Sequence, residues 1–65
     1  MQSNRIDNLL AGARLKANLS QAKLAEKLGI RQNMIFDYER GHRRLSPAMA
    51  KRIAKILHVK VDRIL

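Results

Sequence analysis

Apolar residues recur at steps of three and four through most of the chain, and the rhythm breaks at only a few places. The first periodic stretch runs from about Asn4 to Ala17 and puts Ile6, Leu9, Leu10, Ala13 and Ala17 on one face, the spacing of a helix that covers a core. Gly12 within it costs up to about 1 kcal/mol relative to alanine without ending the pattern. After the break at Asn18-Leu19, Ser20 is a good N-cap for a second helix over 21–28, whose apolar positions are Ala22, Leu24, Ala25 and Leu28. Gly29 stands where a helix closes on a left-handed residue. A third helix is predicted from about Arg31 to Arg40 on Met34, Ile35 and Tyr38, with Gly41 ending it. Ser46-Pro47 then opens a fourth: serine caps it, and proline occupies the first turn, where its missing N–H is not needed. Met49, Ile53, Ile56 and Leu57 form its inward face. His58-Val59-Lys60 leads to a last turn or two over about 61–65, where Val61, Ile64 and Leu65 close the core. No stretch alternates with period two for long enough to be a strand. The expectation is a single all-α domain over residues 1–65, a compact bundle of five short helices.

Composition narrows what such a bundle can do. The chain has 65 residues, enough for one domain that buries roughly 60% of its unfolded surface. With 46% hydrophobic residues it folds despite its charge, and with 3% aromatics its core is aliphatic. Zero cysteines exclude disulfides, thiolate zinc sites and a cysteine nucleophile, and fit a reducing interior. His42 and His58 have no partner at ligand spacing, so no metal or other cofactor is expected. Five acids and two isolated histidines assemble no nucleophile–base pair or paired carboxylates, so an enzyme is not expected either. No apolar run approaches a membrane span, and the polar start opens no signal-type segment; the expectation is a soluble, cytoplasmic protein. A membrane-surface helix is disfavoured by the absence of Trp and the single Phe.

Charge supplies the first positive indication. Fourteen Lys and Arg against five Asp and Glu give a formal net charge of +9, which points to a polyanionic partner. The excess is uneven: residues 1–39 hold six basic and four acidic groups, whereas residues 40–65 hold eight basic groups against Asp62 alone. The footprint therefore centres on the loop Arg40-Gly-His-Arg-Arg44 and the helix after it, although several of Lys51, Arg52, Lys55, Lys60 and Arg63 suit a solvated outer face.

The two helices joined at Gly29 form a helix–turn–helix unit, which braces one helix on a phosphate backbone and lays the other in the major groove. Here the chain resembles the Cro and repressor type of helix-turn-helix DNA-binding domain found in phage repressors, bacterial regulators and antitoxins. The resemblance is carried by Leu19-Ser20-Gln21, Leu24-Ala25, Leu28-Gly29-Ile30, Ile35, Tyr38-Glu39-Arg40-Gly41, Ser46-Pro47 and Ile53-Ala54-Lys55-Ile56-Leu57, and it spans about residues 6 to 65. It implies a phage repressor-like fold and a transcriptional regulator, expected to be a repressor, that binds a palindromic operator in double-stranded DNA as a homodimer. Helix five and Val59-Lys-Val61 are the implied interface. The alternative is an antitoxin that regulates its own operon through the same fold.

By that resemblance Gln21 bonds a backbone phosphate, helped by Ser20 and the helix-two N–H groups, while Gln32 and Asn33 read bases first and Asp37 a turn later. Arg31 reaches a phosphate or groove edge, and the loop with Arg40, Arg43 and Arg44 touches phosphates. Asp37 departs from the family's usual Gln or Arg, and either accepts from cytosine N4 or orients a nearby arginine. Met34 either touches a thymine methyl or packs in the core. Arg14 and Glu39 match a partly buried pair joining helix one to the end of helix three. Phe36 stands where the family carries a small or polar residue, and either packs on a neighbouring helix or forms a partner contact. His58 replaces the glycine common after helix four, which makes an unusual turn possible.

Overall fold

The computed structural model describes residues 5–64, with side chains from Leu9 onward. The sequence assignments at Asn4, Ile6 and Leu65 lie outside the described residues or side chains. Four α-helices follow one another: α1 (Arg5–Lys16), α2 (Gln21–Leu28), α3 (Gln32–Glu39) and α4 (Pro47–Leu57). Among the described residues there is no strand. The expected fifth helix is instead a single 3-10 turn, Val61–Arg63. Its N-cap, Lys60, makes no side-chain capping bond, and the turn closes on the tighter three-residue bonds, from Arg63 N–H to the Lys60 carbonyl at 2.9 Å and from Ile64 N–H to the Val61 carbonyl at 3.2 Å.

The core is aliphatic and draws on every element: Leu10 from α1, Leu24, Ala25 and Leu28 from α2, Ile35 from α3, Ala50, Ile53, Ala54 and Leu57 from α4, and Ile64 after the last turn. Two of the apolar positions expected to face it do not. Ala22 is exposed, and so is Leu9, at 49%. Leu9 adjoins buried Leu10, and Ala22 lies off the buried Leu24, Ala25 and Leu28 positions, because a helix presents only one stripe to a core this small.

All four helices end in the same way. The N–H two residues beyond each helix's last full turn returns to a carbonyl five residues back: Leu19 to Arg14 (3.2 Å), Ile30 to Ala25 (3.0 Å), His42 to Asp37 (2.8 Å) and Val59 to Ala54 (3.0 Å). A shorter bond nests inside each, from Asn18, Gly29, Gly41 and His58. This Schellman closure needs a left-handed residue, and those four have φ of 60°, 74°, 75° and 60°. Glycine takes this conformation freely and asparagine tolerates it, but histidine has neither excuse. Leu19, Ile30 and Val59, the residues after three of the closures, pack half-buried against the core and aim the chain into the next element.

His58 is therefore a local strain that the rest of the fold holds in place. Its replacement by glycine is expected to raise stability by about 1 kcal/mol, the lower end of the left-handed penalty, and thus the melting midpoint by about 4–8 °C. A thermal melt followed by circular dichroism checks this; an unchanged or lower midpoint contradicts it.

Candidate nucleic-acid interface

The turn between α2 and α3 is three residues long, and its geometry is set by Gly29 at φ 74° and by Arg31, extended at φ −81°, ψ 149°. Ala25, 2% exposed, is buried on α2, the helix that packs against α3, so a larger side chain there would have to displace core neighbours. The helix starts differ in a way that matters. Ser20 Oγ accepts from Lys23 N–H at 3.0 Å and Ser46 Oγ from Met49 N–H at 3.1 Å, but Arg31 makes no side-chain cap at the start of α3. The first turn of α3 thus keeps N–H groups free for an outside acceptor, at the positive end of the helix dipole.

Behind that turn α3 is held by a buried charge network. Arg14, 8% exposed, donates through Nε to Glu39 Oε2 at 2.6 Å and through its terminal nitrogens to Glu39 Oε1 at 3.2 Å and to the Leu19 carbonyl at 2.8 Å. Gln21 Nε2 donates to Glu39 Oε1 at 3.0 Å. Three segments are thereby tied to one carboxylate: α1, the start of α2 and the end of α3. Spending one amide hydrogen on Glu39 leaves Gln21 a second, and the Ser20 hydroxyl proton is likewise not used by its cap.

The outward face of α3 carries most of the sequence-predicted readers. Gln32 and Asn33 are exposed on its first turn. Asp37, half-buried, lies about 40° around the helix from Asn33, and its carboxylate forms no ion pair among the described residues. It does not orient an arginine here; its backbone carbonyl instead takes the N–H groups of His42 and Arg43 that begin the basic loop. Met34 lies about 160° from Gln32 and is half-buried, so packing takes much of its surface. Phe36 is 42% exposed, lies outside the hydrophobic core, and is covered on one ring face by the Arg40 guanidinium, 5.3 Å from the ring centroid.

The cations divide into two kinds. Arg31, Arg40, Arg43 and Arg44 are exposed, make no ion pair among the described residues, and flank α3 at both ends. Arg52, by contrast, donates to the Leu28 carbonyl at 2.6 Å and ties α4 to the end of α2. Composition gave no signal for that role, since an arginine in the middle of a basic helix reads as solvated until a carbonyl 24 residues away is placed beside it.

A helix-turn-helix family model matches residues 10–64, which takes in the second half of α1, all of α2, α3 and α4, and the final turn. The chain belongs to the Cro/repressor-type helix-turn-helix family. No curated protein and no solved structure matches it. Members of this helix-turn-helix family are sequence-specific DNA-binding regulators, and the chain's partner is double-stranded DNA. None of the described helices is long and apolar enough to cross a membrane, and no group of three metal-ligating side chains occurs among the described residues.

Proposed function

We propose that this helix-turn-helix chain acts as one binding unit, a repressor that occupies a palindromic operator as a two-fold dimer and works in the cytoplasm on the nucleoid. Gln32, Asn33 and Asp37 read base edges in the major groove. Ser20, Gln21, Arg31, Arg40, Arg43 and Arg44 contact phosphates on either side. The observation that carries this reading is the contrast between the two faces of α3: its back is fixed to α1 and α2 through Glu39, while its front is polar, exposed and uncapped. A rigid helix with a polar leading turn loses little freedom on entering a groove, and Gln and Asn each offer the donor–acceptor pair that matches adenine N6 and N7. The groove between α1 and the final turn, lined by Leu9, Ala13 and Val59 and rimmed by Lys16, Lys60, Asp62 and Arg63, supports a small mixed contact between two copies. Half-sites about one helical turn apart are expected for such a dimer.

Two substitutions separate reading from positioning. Gln32→Ala is expected to weaken the best site by about 1–3 kcal/mol per half-site and to relax the preference at one position of each, whereas Arg43→Ala weakens all DNA alike and lowers the slope of log K against log salt by about 0.9 per half-site. Selection of bound sites from random duplex DNA, followed by titrations at several salt concentrations, measures both. Equal affinity for selected and scrambled DNA at every salt concentration would end the sequence-specific reading.

A further inference from the structure

We infer that Phe36 reads a thymine 5-methyl group at the centre of the recognition surface, so that the chain distinguishes thymine from an unmethylated pyrimidine at one position of each half-site. The inference rests on α3 being the groove-entering helix. At 3.6 residues per turn, Phe36 lies about 40° around α3 from Gln32 and about 60° from Asn33 on the other side. The ring therefore sits between the two polar side chains, one turn deeper, and α3 cannot present Gln32 and Asn33 to base edges without presenting Phe36 as well. Phe36 is one of three large hydrophobic side chains exposed among the described residues; the other two, Leu9 and Leu15, belong to α1.

An exposed ring facing the major groove has one apolar feature to meet there, the methyl group of thymine, because the remaining base edges are donors and acceptors. The Arg40 guanidinium over one ring face limits the ring's rotation, and 42% of the residue stays open to solvent. The cation also stands beside the phosphates, where a bare aromatic ring gains nothing. Gln32, Phe36 and Asn33 thus form a polar–apolar–polar row matched to a run of A·T pairs, with adenine bonded and thymine covered.

Deoxyuridine in place of single thymines tests this on the selected operator, since it removes the methyl group and keeps every hydrogen-bonding atom. For the parent chain, a thymine-to-uracil change is expected to weaken binding about three- to fivefold for each half-site that carries it, the worth of about one methyl group taken from water. For Phe36→Ala the same change is expected to have no effect, while its affinity for the uracil operator stays close to that of the parent. The ring is exposed, so a thermal melt of Phe36→Ala should match the parent's and shows that the comparison is between folded chains. If no thymine position is sensitive, or if Phe36→Ala keeps the same sensitivity, the inference is overturned while the reading by Gln32 and Asn33 stands. If selection enriches no site at all, the DNA reading falls and this inference with it. Phe36→Leu, which keeps an apolar side chain, should retain part of the discrimination; complete loss would also count against it.

Discussion

Arg14→Ala is expected to lower the chain's stability by about 3–5 kcal/mol. The substitution strands the Glu39 carboxylate, 5% exposed, with Gln21 Nε2 as its one remaining side-chain donor, and removes the donor to the Leu19 carbonyl. Breaking one partner out of a buried ion pair costs about 3–5 kcal/mol, because the other charge stays in a poorly polarisable surrounding. Native chains of this size have only about 3–10 kcal/mol of total stability. The loss therefore consumes about a third of the stability at least, and the melting midpoint falls by about 12 °C or more. Replacing both partners with apolar residues, Arg14→Met together with Glu39→Leu, is expected to recover most of that, since no buried charge is left alone. Thermal melts of the parent, Arg14→Ala and the double variant measure the three values. A midpoint for Arg14→Ala within a few degrees of the parent would show that water reaches Glu39 and that the network is not what holds α3.

Ile35→Ala is the second large effect, and it separates folding from recognition. Ile35 is fully buried on the inner side of α3, three residues after Gln32, and its truncation costs about 2–5 kcal/mol through lost burial and the cavity left behind. Urea titration followed by circular dichroism should show a lower midpoint with an unchanged slope. In the cold, where the variant is still folded, its order of preference among operator variants should match the parent's, because the outward residues are untouched. Gln32→Ala should do the opposite, with an unchanged melt and an altered preference. If Ile35→Ala changed the preference among sites, the inner and outer faces of α3 would not be independent.

These contrasts show why some of the molecule was legible in the residues alone. Caps, turn glycines and helical periodicity are signals between residues no more than four or five apart, and they defined α2, α4 and the turn at Gly29 closely. Helix three was read one residue too long at each end, because Arg31 and Arg40 look like helix residues but serve as its caps. Val61, Ile64 and Leu65 have helical spacing and so read as a helix, yet the turn there closes on three-residue bonds, a difference that spacing over so few residues does not reveal. His58 offered only a hint: a histidine carries no local sign that it will be held at φ 60°.

The charge imbalance, the all-α class and the polar first turn of α3 were thus set by the sequence itself, since each is either a count or a property of neighbours along the chain. Which charges remain available was decided by the tertiary structure. It buries Arg14 against Glu39, 25 residues away, turns Arg52 inward to a carbonyl, and leaves Arg31, Arg40, Arg43 and Arg44 exposed without ion-pair partners among the described residues. It also bears on the question about Phe36 that the residues left open, leaving the side chain 42% exposed beneath Arg40 and outside the core. Periodicity along one helix says which residues share a face; only the packing of the other helices says which face is covered.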